Sequence, residues 1–198
     1  LVMACVVLVV DVFIDDERRN TTYLLTQFTL LGTAVLITLG EAEQRVMAFN
    51  DMFVQDPLAD TLKLFILAIT FVIFVYSRDY LRDRDIFKGE FYVLGLFGVL
   101  GMMIMVSSAN LLLLYLGLEL MSLCLYAMVA FDRDNGNASE AAMKYFVLGA
   151  IASGTLLYGV SILYGVTASL DLGEVNAALG AVSGEGAVAR LPVLLGLA

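Results

Sequence analysis

Two charged side chains lie where charge is costly. Glu119 stands near the middle of Asn110–Phe131 (NLLLLYLGLELMSLCLYAMVAF), a 22-residue stretch with no other charge. Lys144 lies inside the next apolar run, SEAAMKYFVLGAIASGTLLYGVSILYG. A helix of that length crosses a bilayer. An acidic residue at its centre costs about 2.5–3.5 kcal/mol on insertion scales, so it faces protein or a water-filled path rather than lipid. Tyr115, Glu119, Ser122 and Tyr126 recur at i, i+4, i+7 and i+11 and share one helical face, with Leu, Met and Ala opposite. A lone carboxylate on a polar stripe can bind and release a proton. Glu119 and Lys144 are the candidate functional residues, and Tyr115, Ser122 and Tyr126 line the same polar stripe as Glu119.

Composition states what must position them. Hydrophobic residues are 61% of 198, charged residues 16%, and prolines number only two; mean hydropathy is +0.90. Soluble domains sit near roughly 45–50% apolar and 25% charged, so this is a membrane composition. A net charge of −9 without a basic patch argues against nucleic-acid partners. Cys5 and Cys124 lie singly in apolar runs, which suggests neither a disulfide framework nor a metal site. With no histidine, the commonest metal ligand and neutral-pH base is missing.

The apolar runs predict an all-α integral membrane protein with helices over about 1–14, 22–40, 58–77, 91–107, 110–131, 139–166 and 191–198. That is about six transmembrane helices plus the start of a seventh, in one membrane domain spanning 1–198. The first run is too short to span and the last reads as an opening segment, so both ends are expected to cut through helices. Glu41–Pro57 is a polar connector whose alternating apolar residues fit a short surface hairpin. Asp60 and Lys63 lie near the entrance of the third span. RDYLRDRDIFKGE, Arg78–Glu90, reads as a mixed-charge loop. Phe91–Phe131 is 41 residues long, too long for one span, and Ser107–Asn110 is its break. Thr167–Arg190 reads as a Gly- and Ala-rich acidic loop.

Basic residues suggest an orientation. Arg18, Arg19, Arg78, Arg82, Arg84, Lys88 and Arg133 follow odd-numbered spans, whereas only Arg45 and Arg190 follow even ones. The positive-inside rule places the first set in the cytoplasm and the N-terminus outside. Lys144 then lies about 6 Å inside the cytoplasmic end and Glu119 about 18 Å, a gap of about 12 Å that the two side chains do not close directly. Lys144 is read either as snorkelling to the surface or as a water-linked member of the path.

Weaker marks are packing features. Gly95, Gly98 and Gly101, and Gly149/Ser153 with Ala150/Gly154, offer small-residue faces for close helix contact. Met102, Met103, Met105, Met121 and Met128 fill gaps and lack the Cys or His company of a soft-metal site. No Gly-rich phosphate loop, CxxC pair or nucleophile–base set is visible, so no redox centre or hydrolytic site is expected in the chain itself.

YLGLELMSLCLYAMVAF followed by SEAAMKYFVLGAIASGTLLYGVSILYG closely resembles the N-subunit family of the proton-pumping NADH:quinone oxidoreductases, respiratory complex I. The likeness is strong over about 91–165 and extends to FNDMFVQDPLA. It is specific, because the L and M subunits and the multisubunit cation/proton antiporters carry other residues around their glutamate. The resemblance implies an antiporter-like helix bundle in a bacterial inner membrane, with the other membrane subunits, the bilayer and protons as partners. NADH and quinone are used by the whole complex, and no cofactor is implied in this chain. It implies that Glu119 and Lys144, matching the fifth-helix glutamate and a sixth-helix lysine, are proton-translocating residues with a further partner lysine on the seventh helix, and that Tyr115, Ser122 and Tyr126 are candidates to hold a water path. Cys124 stands where the family usually has proline, a residue that frees a backbone carbonyl and bends a helix. Burial disfavours an ionised carboxyl and a nearby ammonium favours it, so moving a cation would switch the proton occupancy. A cation/proton antiporter subunit and a purely structural membrane subunit are the alternatives left open.

Overall fold

Hydrocarbon offers the backbone no hydrogen bonds, so an apolar chain crossing it must be helical. The computed structural model describes residues 1–14, 20–40, 45–84, 86–182 and 196. Among them run α1 (Val2–Val12), α2 (Asn20–Leu39), β1 (Val46–Ala48), β2 (Phe53–Gln55), α3 (Pro57–Asp83), α4 (Gly89–Val106), α5 (Leu111–Val129), α6 (Gly136–Thr167) and α7 (Leu172–Val182). α2, α3, α4, α5 and α6 are long and apolar enough to cross a membrane; α1 is apolar but shorter. The chain is an all-α, multi-pass membrane protein.

The core of α1–α4 gathers Val7, Leu30, Leu67, Phe74, Tyr92 and Leu96. Tyr92 is fully buried, its ring edge-on to Tyr23 and Phe74. Outward side chains are apolar too: Phe28, Phe65 and Val72 are more than 60% exposed, a surface suited to lipid. Hydroxyls inside the helices turn back on the backbone, Thr26 donating to the Thr22 carbonyl at 2.8 Å and Thr70 to Ile66 at 2.8 Å, which satisfies them without water.

Close approach of helices rests on particular glycines. A Cβ on Gly101 would lie 2.6 Å from the Gly117 carbonyl oxygen and 2.7 Å from the Met121 nitrogen. α4 and α5 therefore touch backbone to backbone, the contact that small residues permit in membranes. Gly95 instead receives the Phe74 ring, while Gly154 has nothing within 4 Å.

The break between α4 and α5 falls at 107–110, where Asn110 Oδ1 accepts from the Leu112 amide at 2.9 Å as N-cap. Around it lies a small extended layer. β1 and β2 pair antiparallel through a turn of left-handed residues, Phe49, Asn50 and Asp51. Phe53 bridges Ser108, and Asn110 bridges Asp171.

Some expectations need correction. The stretch after Thr167 is not all loop, since Leu172–Val182 is helical. Asp171 starts it, its Oδ1 accepting from the Gly173 and Glu174 amides at 2.8 and 2.9 Å. α3 runs on to Asp83, so Arg78 and Arg82 are helical rather than loop residues. Arg78 donates to Asn20 Oδ1 at 2.7 Å and lies over the Tyr23 ring, anchoring that extension to α2. α6 begins at Gly136, capped by Asn135, three residues ahead of the expected start. Arg18, Arg19 and Arg190, and the helix expected over 191–198 apart from Gly196, lie outside the described residues.

Candidate functional site

α5 and α6 run antiparallel, and the polar stripe of α5 faces their seam. Tyr126, late in α5, packs edge-on against Tyr145 and Phe146, early in α6, with ring centroids at 4.8 and 5.6 Å. Its phenol lies across Gly149, where a Cβ would come within 2.6 Å of the ring carbon bearing the hydroxyl. Gly149 thus leaves room for the tyrosine and lets α6 approach. One turn further along α6 is Ser153, and there the seam becomes chemical.

Ser153 Oγ hydrogen-bonds to Glu119 Oε1 and lies 3.3 Å from the Tyr115 hydroxyl. One serine hydroxyl holds one proton to donate. While Glu119 is ionised, Ser153 donates to the carboxylate and Tyr115 can donate to Ser153. Once Glu119 is protonated it can donate to Ser153, and Ser153 to Tyr115. Both directions use the same three oxygens, so the chain of hydrogen bonds can run either way.

Glu119 and Tyr115 are half-buried, as are Ser122 and Tyr126. Ser122 is not brought into the Glu119–Ser153–Tyr115 cluster, and Tyr126 contributes a ring wall rather than a bond to the acid. Among the described residues Glu119 forms no ion pair. Lys144 does not meet it: Lys144 Nζ is 2.5 Å from Glu140 Oε1, one turn back on the same helix, with both side chains mostly exposed. Nine residues separate Lys144 from Ser153, a rise of about 13.5 Å. Cys124 is buried, and Gly98, given a Cβ, would meet its Cβ at 3.8 Å; α5 passes through it unbroken.

Two polar features escaped sequence reasoning. Ser153 read only as a small packing residue, because its role needs the register of α5 against α6. Asp60 and Lys63 read as entrance charges, yet they form an ion pair at 3.1 Å with side chains 3% and 9% exposed. Their i, i+3 spacing inside an apolar run was the available signal.

Residues 108–198 match the family model described as "NADH:quinone oxidoreductase/Mrp antiporter, TM". The chain is 65% identical over 175 residues to the NADH-quinone oxidoreductase subunit N of Thioalkalivibrio sulfidiphilus, covering 88% of this chain and 36% of that one. It is 51% identical over 197 residues to the subunit N of Thiobacillus denitrificans, covering 100% and 40%. The chain thus spans somewhat over a third of the curated relatives it matches. Among solved structures, a chain of respiratory complex I from Thermus thermophilus with bound aureothin superposes with a TM-score of 0.74 at 27% identity, over 99% of this chain and 41% of that one. A chain of an archaeal membrane-bound sulfane sulfur reductase shares the fold, with a TM-score of 0.74 at 21% identity, over 99% and 40%.

Proposed function

Because the chain belongs to the NADH-quinone oxidoreductase subunit N family, we propose that it forms part of a proton-translocating path, with Glu119 taking up and releasing the proton. The observation that carries this reading is the Tyr115–Ser153–Glu119 cluster on the α5–α6 seam. NADH and quinone are substrates of the whole complex, and this chain's residues move protons while quinone chemistry proceeds in a neighbouring subunit.

The mechanism is electrostatic. A carboxyl group in a low-dielectric seam prefers its neutral form, and an approaching cation favours the ionised one. Glu119 has its hydroxyl partner, Ser153, in place and lacks a cation among the described residues. The cation that switches it therefore comes from elsewhere, and the family resemblance assigns it to a lysine on the family's seventh membrane helix. Lys144, about 13.5 Å along α6, acts through intervening water. Tyr115 lies toward the N-terminal end of α5 from Glu119, so the wire leads from the acid toward that end. With Arg78, Arg82, Arg84, Lys88 and Arg133 facing the cytoplasm, that end faces the periplasm of a bacterial inner membrane. The other membrane subunits of the complex are its partners.

The test is Glu119→Gln in the assembled complex. Gln keeps an acceptor oxygen for Ser153 but cannot ionise. Assembly should be normal while NADH-driven proton uptake into inverted vesicles collapses. Normal pumping would overturn the assignment, and sodium-driven proton exchange independent of NADH would favour an antiporter.

A further inference from the structure

Asp60 and Lys63 form the most buried ion pair among the described residues, at the N-terminal end of α3, and the proton path above does not use it. An ion pair within one exposed helix face stabilises little, and burying it adds a desolvation penalty. Specific contacts must offset these costs, and the hairpin supplies them.

The Phe53 ring of β2 lies 5.4 Å from Lys63 Nζ. Gln55 Nε2 donates to Asp60 Oδ2 at 3.2 Å and to the Gly40 carbonyl at 3.0 Å. Lys63 donates to the other oxygen, Oδ1, at 3.1 Å, so each carboxylate oxygen has its own donor. Side chains alternate along a strand, so a slip of β2 by one residue would bring Val54 or Asp56 to the place of Gln55. The first leaves Oδ2 buried and unpaired, and the second sets one carboxylate against another. The pair accepts one register of the hairpin.

That register is passed on through the backbone. The Val54 amide donates to the Ser107 carbonyl at 2.8 Å, and the Ala109 amide donates to Met52 at 2.9 Å. Leu172 and Leu111 amides then tie the same turn to the start of α7, at 3.0 and 2.9 Å. The turn ends in Asn110, the cap of the helix that carries Tyr115 and Glu119.

We propose that the Asp60–Lys63 pair is a latch that holds the hairpin on the α4–α5 turn and so fixes the height of α5 at the proton wire. Asp60 and Lys63 are positioning residues that act on Glu119 through Gln55, β2 and Asn110. The latch stands on its own geometry; only its consequence for pumping rests on the reading of Glu119.

The test uses the full-length subunit in its assembled complex and compares Lys63→Met, Lys63→Arg and the parent by amide hydrogen exchange. Lys63→Met should speed exchange at Val54 and Ala109 by about tenfold or more while amides in the middle of α3 stay unchanged. Lys63→Arg, which keeps the charge, should restore protection. Proton yield per NADH oxidised should fall severalfold in Lys63→Met and recover in Lys63→Arg. Unchanged exchange at those two amides, or equal loosening of mid-α3, overturns the latch. Faster exchange with undiminished proton yield overturns the positioning role. If Lys63→Met does not assemble, Gln55→Met removes only the bonds from the hairpin and must give the same exchange result. Glu119→Gln measured alongside separates the two readings: normal pumping there defeats the proton-carrier assignment, while the exchange data still decide the latch.

Discussion

Glu119 and Lys144 stand on facing helices, yet each is engaged elsewhere. Glu119 takes a hydrogen bond from Ser153, whereas Lys144, nine residues before that serine on α6, pairs with Glu140. A rise of about 13.5 Å lies between the two levels. The acid at the seam is therefore held by the Ser153 hydroxyl and, among the described residues, by no cation.

The hydroxyl wire makes a graded prediction. Ser153→Ala removes the link between Tyr115 and Glu119, whereas Tyr115→Phe removes only its far end. With Glu119→Gln abolishing pumping, Ser153→Ala should slow it by at least about an order of magnitude, and Tyr115→Phe by less. All three should assemble to parental levels on native gels. Equal and full pumping by Ser153→Ala would remove the wire from the path.

Glycines on the helix faces should separate sharply. Gly101→Ala places a methyl 2.6 Å from a backbone oxygen of α5 that cannot rotate away. Forcing the helices apart should cost about 1–3 kcal/mol and lower the thermal midpoint of the purified protein. Gly154→Ala meets nothing within 4 Å and removes a helix-weakening glycine, so it should be neutral or stabilising by up to about 1 kcal/mol. The reverse order in a melting experiment would mean that α4 and α5 do not cross at Gly101.

Much of this was readable from residue types, and what was not depends on contacts between distant segments. Spans are legible because hydrocarbon demands continuous apolar helix, and Glu119 is legible as the one charge in its span. Ser153 became a partner only once Gly149 had admitted Tyr126 and set the α5–α6 register. Asp60 and Lys63 read as entrance charges because the hairpin that buries them is brought over by pairing with the α4–α5 turn. The helix after Asp171 had a local signal in DLGE, an Asp cap with Glu three residues on. The surrounding Gly and Ala masked it. α3 continued through charged RDYLRD because Arg78 finds Asn20 on α2.

The Lys144–Glu140 pair is mostly exposed in this chain, with side chains 71% and 63% accessible. Pairs of that kind contribute about 0–1 kcal/mol, so neither Lys144→Met nor Glu140→Gln should change the thermal midpoint measurably. Pumping should respond differently. On the proposed path Lys144→Met removes a cation and should lower the rate severalfold, while Glu140→Gln keeps the ammonium and should leave it within about twofold. Parental pumping in Lys144→Met would return that lysine to a surface role.

The orientation expected from charge can be read chemically. On a Cys5→Ser, Cys124→Ser background, a single cysteine replacing Asn50 marks the hairpin turn, and one replacing Asp134 marks the α5–α6 turn. These turns lie at opposite ends of the bundle, since α3, α4 and α5 cross it three times between them. Arg84, Lys88 and Arg133 share the end of Asp134, and the positive-inside rule assigns that end to the cytoplasm. A membrane-impermeant maleimide should therefore label position 50 in spheroplasts and spare position 134. Inverted vesicles should give the opposite pattern. If position 134 labels in spheroplasts, the bundle sits the other way up. The wire from Glu119 through Ser153 to Tyr115 would then open toward the cytoplasm, as a proton entry rather than an exit.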